Sequence, residues 1–251
     1  ARASASSKRI LEVLDTKPSL TNTQEGLQDK YRIEKGEVTF DNVGFRYTGG
    51  ENDVLQHISF RANPGETIAL VGATGSAKSS LVQLIPRLYD DASGEIRIDG
   101  IPVKNYNLDE LHARIGMVLQ KNELFTGTII DNLRWGKPDA SMEEIEEAAR
   151  AAEAHDFICS FTEGYNTLLG RGGINVSGGQ KQRICIARAL LRKPKILILD
   201  DSTSAVDTET ELKIRNNLNA MLHDTTVFII TQRINTCLLY TSPSPRDGLL
   251  S

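Results

Sequence analysis

The sequence is poor in cysteine, has a single tryptophan, carries no surplus of basic residues and contains no long apolar run. Cys159, Cys185 and Cys237 are odd in number and form no CxxC pair, which excludes a disulfide framework and a cysteine-pair zinc site. They read as ordinary thiols of a reducing compartment. Lys and Arg number 29 against 33 Asp and Glu, a net charge of −4. That balance offers nothing to neutralise a phosphate backbone, so no nucleic-acid partner is expected. No apolar stretch approaches the roughly 18–20 residues of a membrane-spanning helix. His57, His112, His155 and His223 are scattered and have no metal-ligand spacing. There is no signal-peptide pattern, and the chain starts at Ala1, so it reads as a piece of something longer. What remains is 251 residues, 25% of them charged, enough for one or two domains with a substantial core and against wholesale disorder.

Residues 1–14 carry a short helical stripe of Ile10, Leu11 and Leu14, and residues 15–35 read as a turn-rich connector. Val38 and Phe40, Phe45 and Tyr47, and Ile58 and Phe60 then alternate as strands do. Beyond them, apolar strands at Thr67–Val71, Ile115–Leu119, Ile196–Leu199 and Val227–Ile230 alternate with helical stripes. One stripe is Ile145, Ala148, Ala149 and Ala152, with Glu143, Glu144, Glu146 and Glu147 forming its solvated face. Others are Ile184, Ala187 and Leu191, and Ile214, Leu218, Met221 and Leu222. This alternation predicts an α/β domain with a largely parallel sheet, the strands buried on both faces.

Such sheets bind ligands beyond their strand C-termini, and three of these strands end in polar groups. Thr67–Val71 runs into Gly72-Ala73-Thr74-Gly75-Ser76-Ala77-Lys78-Ser79-Ser80. A Gly-rich loop opening a helix can aim backbone amides at phosphate oxygens, with Lys78 reaching the β/γ-phosphates and Ser79 holding Mg²⁺. The strict pattern has glycine where this chain has Ala77, so taken alone the segment is equally an ordinary strand-to-helix turn. Ile196–Leu199 ends in Asp200-Asp201, where Asp200 suits either Mg²⁺ or a helix cap. The third strand ends in Thr231-Gln232-Arg233, of which Gln232 by itself is a polar loop residue. Ser177-Gly178-Gly179-Gln180 discriminates among these readings, because Ser177 is a plausible N-cap and the helix start is a second anion site. Two phosphate-directed helix starts in one chain point to two nucleotides shared between two subunits.

From about residue 37 to 235 the order of these motifs resembles the nucleotide-binding domain of an ATP-binding cassette (ABC) transporter of the exporter type. The resemblance implies a P-loop NTPase (RecA-like) core with an antiparallel β subdomain and an α-helical signature subdomain at about 121–190. Residues 1–35 would then be the linker from a transmembrane domain, 36–236 the ATP-binding domain, and 237–251 a non-homologous tail. The family's roles fall on Tyr47 as the aromatic that stacks on adenine, and on Gly72 and Thr74–Ser80 as the phosphate loop. Gln120 matches the glutamine that contacts Mg²⁺ and the attacking water. Ser177, Gly178, Gly179 and Gln180 match the signature sequence, with Val176 in place of the usual Leu. Asp200 matches the Mg²⁺ aspartate and Asp207 the aspartate that couples sites across a dimer. ATP and Mg²⁺ are implied as ligands. The implied partners are a second nucleotide-binding domain and a transmembrane domain, at the cytoplasmic face of a bacterial inner membrane.

Four residues depart from the family pattern. Asp201 stands where the catalytic Glu is usual, Gln232 replaces the switch His, Arg171 replaces an acidic residue, and Ala77 replaces glycine. Asp is one methylene too short for a base that must come within about 3 Å of its proton, and Gln cannot titrate. Asp201 with Gln232 resembles the degenerate-site half of a heterodimeric bacterial exporter, whose intact signature completes the partner's site. The alternatives are an active homodimeric transporter ATPase and a soluble ABC protein acting on nucleic acid or ribosomes. Pro243 and Pro245 forbid a central strand or continuous helix in the tail, which is expected to be poorly ordered, a frameshift or junction.

Overall fold

A computed structural model of the chain describes residues 2–16, 18, 20–90, 93–200 and 206–231. Asp201, Gln232 and the tail from Cys237 lie outside the described residues. Helix α1 (Arg2–Leu14) is followed by a connector holding one short helix, α2 (Gln24–Leu27), which the sequence pattern does not announce. Strands β1 (Val38–Phe45), β2 (Leu55–Ala62) and β3 (Thr67–Val71) precede helix α3 (Lys78–Gln83). Then come β4 (Ser93–Ile98), β5 (Ile101–Pro102), α4 (Leu108–Arg114) and β6 (Ile115–Val118). The helical region holds β7 (Gly127–Thr128), α5 (Ile129–Arg134), α6 (Met142–Ala151), α7 (His155–Cys159), β8 (Leu168–Leu169) and α8 (Gly178–Leu190). Strand β9 (Ile196–Asp200), helix α9 (Thr208–Met221) and strand β10 (Thr226–Thr231) follow.

The strands form an antiparallel sheet in the order β2-β1-β4-β5 and a parallel sheet in the order β3-β10-β9-β6. Period-2 alternation on the parallel sheet feeds two cores. Ile196, Ile198, Phe228 and Ile230 pack with Phe40, Ile96, Ile98, Val82 and Ile85, between the parallel sheet, the antiparallel sheet and α3. Leu197, Leu199, Val227 and Ile229 pack on the opposite side with Ile184, Ile214, Ile145 and Ala149. Continuous apolar runs in β9 and β10 are therefore required by burial on both faces. Polar side chains cap the starts of α2, α4, α5, α6, α8 and α9, whereas α3 and α7 begin after alanines and have no side-chain cap. Thr128 with Asp131, Ser141 with Glu144, and Ser177 with Gln180 each form a reciprocal capping box. The glutamates of α6 form its solvated face as expected, Glu144 pairing with Lys137 and Glu146 with Arg150.

Register sets where the functional loops emerge. Thr231 lies opposite Val71, Ile230 opposite Asp200, and Val118 opposite Leu199. The carboxyl ends of β3, β9, β10 and β6 therefore share one edge of the parallel sheet, the edge where such sheets bind ligands. Among the described residues no helix is long and apolar enough to cross a membrane.

Candidate functional site

The loop after β3 turns through Gly75 at φ 84° and Ala77 at φ 61°, ψ 16°. The first is the left-handed conformation glycine adopts freely. The second places an L side chain in the same region, where sterics disfavour it by roughly 1–2 kcal/mol. Ala77 occupies the N-cap of α3 and offers no side-chain cap, so the first-turn amides of α3 keep no partner from that side chain. The Lys78 ammonium is folded back into the loop. Its Nζ donates to the carbonyls of Gly72 at 2.8 Å and Ala73 at 2.7 Å, and to Ser76 Oγ at 3.0 Å. Three oxygens thus hold the cation in a polar cage beside the helix start, where an anion would compete for it. A Cβ at Gly72 would approach Ser76 Oγ to 2.9 Å, so a larger residue there would displace the Ser76 hydroxyl from its bond with Lys78.

A cavity of about 340 Å³ opens over this loop, lined by Tyr47, Val54, Thr74–Ser80, Gln120, Asp200 and Ile230. Its size lies at the lower end of small-molecule sites. Asp200 is 4% exposed at the end of β9. Burial raises its pKa above the ordinary carboxylate value, against a hydrogen bond with Ser79 and the charge of Lys78, which lower it. Tyr47 lies two residues beyond the end of β1, in the loop rather than the strand. Its hydroxyl shares a 2.8 Å hydrogen bond with Ser80 Oγ.

The donor set fits a small divalent cation. Ser79 offers a hydroxyl, Asp200 a carboxylate and Gln120 a carboxamide oxygen, all hard oxygens, and all three line one cavity. The buried carboxylate of Asp200 is the charge such a cation would balance.

The fold therefore brings together Tyr47, Thr74, Gly75, Ser76, Ala77, Lys78, Ser79, Ser80, Gln120 and Asp200, with Gly72 beneath them. It does not bring in the second anion-directed segment. Ser177 caps α8, its Oγ accepting from Gln180 N at 3.2 Å and its own amide donating to Gln180 Oε1 at 2.9 Å. That leaves the amides of Gly178 and Gly179 outside the intrahelical ladder. None of residues 177–180 lines the cavity. Asp207 caps α9 by accepting from Thr210 N at 2.9 Å, and hydrogen bonds with Thr210 hold its pKa below the ordinary carboxylate value. Just upstream of the signature, Arg171 lies in a tight turn whose Gly172 and Gly173 both have positive φ, 65° and 68°. Val54 and Ile230 line the cavity without any sequence signal. Cys185 is a buried thiol with its pKa pushed up by burial, in keeping with a core role.

A second cavity of about 370 Å³ lies between β6 and α8, walled by Phe125, Trp135, Cys185, Arg188 and Arg192. Trp135 is 63% exposed there and stacks on Phe125 at 4.6 Å.

Comparison with known proteins accounts for this arrangement. The family model described as "ABC transporter" matches residues 55–204, more than half of the chain. The chain is 49% identical over 238 residues to an uncharacterized ABC transporter ATP-binding protein, YfiB, of Bacillus subtilis, covering 94% of this chain and 40% of that protein. It is 46% identical over 233 residues to a putative multidrug export ATP-binding/permease protein, YgaD, of the same organism, covering 92% and 40%. The solved structure of a bacterial Atm1-family ABC exporter with ATP bound superimposes with a TM-score of 0.86 at 35% identity, over 91% of this chain and 40% of the exporter chain. The chain thus spans about two fifths of the length of the relatives it matches. Its α/β fold is the P-loop ATPase fold of these proteins, with the sheets and helical region described above. The chain belongs to the ABC transporter family, as a nucleotide-binding domain matching the exporter members of that family.

Proposed function

We propose that this chain binds ATP with Mg²⁺ at the carboxyl edge of its parallel sheet, completes the nucleotide sandwich with a second nucleotide-binding domain, and couples that closure to export across a membrane. The observation that carries the reading is the division of the site. The cavity over the phosphate loop contains Lys78, Ser79, Gln120 and Asp200, whereas the capped start of α8 lies outside it. A ligand held by both needs two chains. Mg²⁺ held by Ser79, Asp200 and Gln120 would supply charge neutralisation on the phosphates. Tyr47 would stack on the base, and Lys78 would leave its carbonyl cage for the terminal phosphates. The transmembrane partner has a surface to meet in the groove walled by Phe125 and Trp135, an exposed aromatic pair beside the segment that follows Gln120. The site of action is the cytoplasmic face of a bacterial inner membrane.

The chain's own site is read as degenerate. Asp201 and Gln232 replace the Glu and His of an active site, and Ala77 occupies a left-handed position beside the phosphates. Phosphoryl transfer to water depends on positioning and electrostatics, so a short carboxylate and a non-titrating switch slow it greatly. The partner is therefore a different subunit that carries Glu and His. Purified alone, the chain is expected to release phosphate from ATP slowly, and mixing with such a subunit restores turnover. Turnover by the isolated chain equal to that of an intact-site domain would overturn the degenerate reading. Converting Asp201→Glu together with Gln232→His should add hydrolysis in the mixed pair.

A further inference from the structure

We propose that Tyr89 is a positioning residue for base recognition, acting only through Tyr47. The inference rests on the ATP-binding reading above and adds to it a residue that neither the phosphate loop nor the cavity lining includes.

Tyr47 is held at both ends of α3. In the first turn of the helix Ser80 Oγ bonds its hydroxyl at 2.8 Å. Past the last turn, the Tyr89 ring meets the Tyr47 ring at 5.2 Å and 89°, a T-shaped contact. Phe45 closes the cluster, at 4.7 Å and 77° from Tyr47 and 5.6 Å from Tyr89. Perpendicular contacts of this kind are favourable because the positive edge of one ring meets the negative face of another. Phe45 is buried, whereas Tyr47 remains 37% exposed and Tyr89 40% exposed. Phe45 anchors both tyrosines to the core, while of the three rings only that of Tyr47 lines the cavity.

The turn that carries Tyr89 is itself fixed. Leu88 N donates to Gln83 O at 3.0 Å and Arg87 N to Leu84 O at 3.1 Å, continuing α3 into a tight turn. Arg87, 5% exposed and at φ 55°, locks that turn by donating from Nε to Asp90 at 2.7 Å. The same short helix thus follows the phosphate loop and leads, through the turn at residues 84–88, to the aromatic brace six residues past its end. Tyr89 sets the Tyr47 ring relative to the phosphate site, so that a nucleotide bound by its phosphates finds the ring already placed for its base.

The test is displacement of a fluorescent ATP analogue from the full chain by ATP and by inorganic tripolyphosphate, which has phosphates but no base. For Tyr89→Ala, ATP should compete about three- to tenfold less well, the range an aromatic pair supplies, while tripolyphosphate competes as before. Tyr89→Phe should keep the parent ratio, since the ring is retained. In a Tyr47→Ala background, Tyr89→Ala should change neither competitor further. An equal loss for ATP and tripolyphosphate would overturn the proposal, as would a full Tyr89 effect surviving without Tyr47. If the parent chain binds neither competitor, the ATP-binding reading itself falls. If the parent binds both and prefers ATP but Tyr89→Ala keeps that preference, only the role of Tyr89 falls.

Discussion

At the scale of single residues, Ala77 and Asp200 make opposite demands on stability and function. Ala77 holds φ 61° at the helix start, a conformation that disfavours any side chain, yet its methyl group packs against the core shared by the two sheets. The left-handed penalty of roughly 1–2 kcal/mol exceeds the ~0.8 kcal/mol of one buried methyl, which is only partly buried here. Ala77→Gly is therefore expected to stabilise the chain by up to about 1 kcal/mol, less what glycine adds to the entropy of the unfolded state. Thermal unfolding would show a rise of a few degrees, and ATP affinity should rise with it. Asp200 works the other way. Its folded-state pKa is raised by burial, so the folded protein holds that proton more tightly than the unfolded chain does. The stability this proton linkage contributes is present below the unfolded pKa, about 4, and is lost as pH rises through the folded value. Asp200→Asn removes that loss. Its melting temperature should exceed the parent's at pH 7, with the difference shrinking towards pH 4, while Mg²⁺ no longer strengthens ATP binding.

At the scale of elements, helix starts and one buried amide hold the functional loops. Ser177→Ala deletes the capping-box acceptor of a 13-residue helix and is expected to cost about 1 kcal/mol in urea unfolding. Asn132, 1% exposed, donates to the carbonyls of Phe125 at 2.9 Å and Thr128 at 3.0 Å and accepts from Phe125 N at 2.8 Å. Arg188 on α8 donates to Asn132 O at 2.9 Å and to Glu123 O at 3.2 Å. The segment that follows Gln120 is thus tied to α8 by Arg188, directly at Glu123 O and through Asn132, whose Oδ1 also accepts from Arg188 at 3.1 Å. Asn132→Ala removes the side-chain partner of Phe125 N, Phe125 O and Thr128 O in a part-buried setting and should cost about 1–3 kcal/mol by the same measurement. These elements differ in how far they could be read from the chain. Strands β9 and β10 and helices α6, α8 and α9 were legible, because burial on both sheet faces and caps at helix starts leave period and composition signals. Strand β4 was not, since only Ile96 and Ile98 face the core while Glu95 and Arg97 alternate outward. Helix α2 was missed because it is four residues long and its cap bonds Gly26 within a polar connector. The Gly-rich loop, Asp200 and Ser177–Gln180 stand out as motifs, and the structure puts the loop and Asp200 at one cavity and Ser177 at the capped start of α8. Tyr89 does not stand out, because its role depends on the turn after α3 returning to the loop after β1, a contact 42 residues apart in the sequence.

At the scale of the whole molecule, the Gly72–Ser80 loop and the capped start of α8 do not share a cavity, and on the function proposed above each works with its counterpart on a second nucleotide-binding domain. If the chain's own site is degenerate, its two features are unequal. The phosphate loop serves a site that turns over slowly, whereas Ser177–Gln180 completes the partner's productive site. Substitutions in this chain should then affect a mixed pair asymmetrically. Ser177→Arg puts a bulky cation where the Gly178 and Gly179 amides would face the partner's nucleotide, and should abolish phosphate release by the pair. Lys78→Ala, in the loop of the slow site, should leave a substantial fraction of that release. The cap lost at Ser177 is separable from this effect, because Ser177→Ala removes the same cap without adding bulk and should retain much more activity than Ser177→Arg. Equal losses from Ser177→Arg and Lys78→Ala would mean that both sites turn over together, which favours the active homodimeric arrangement over the degenerate one.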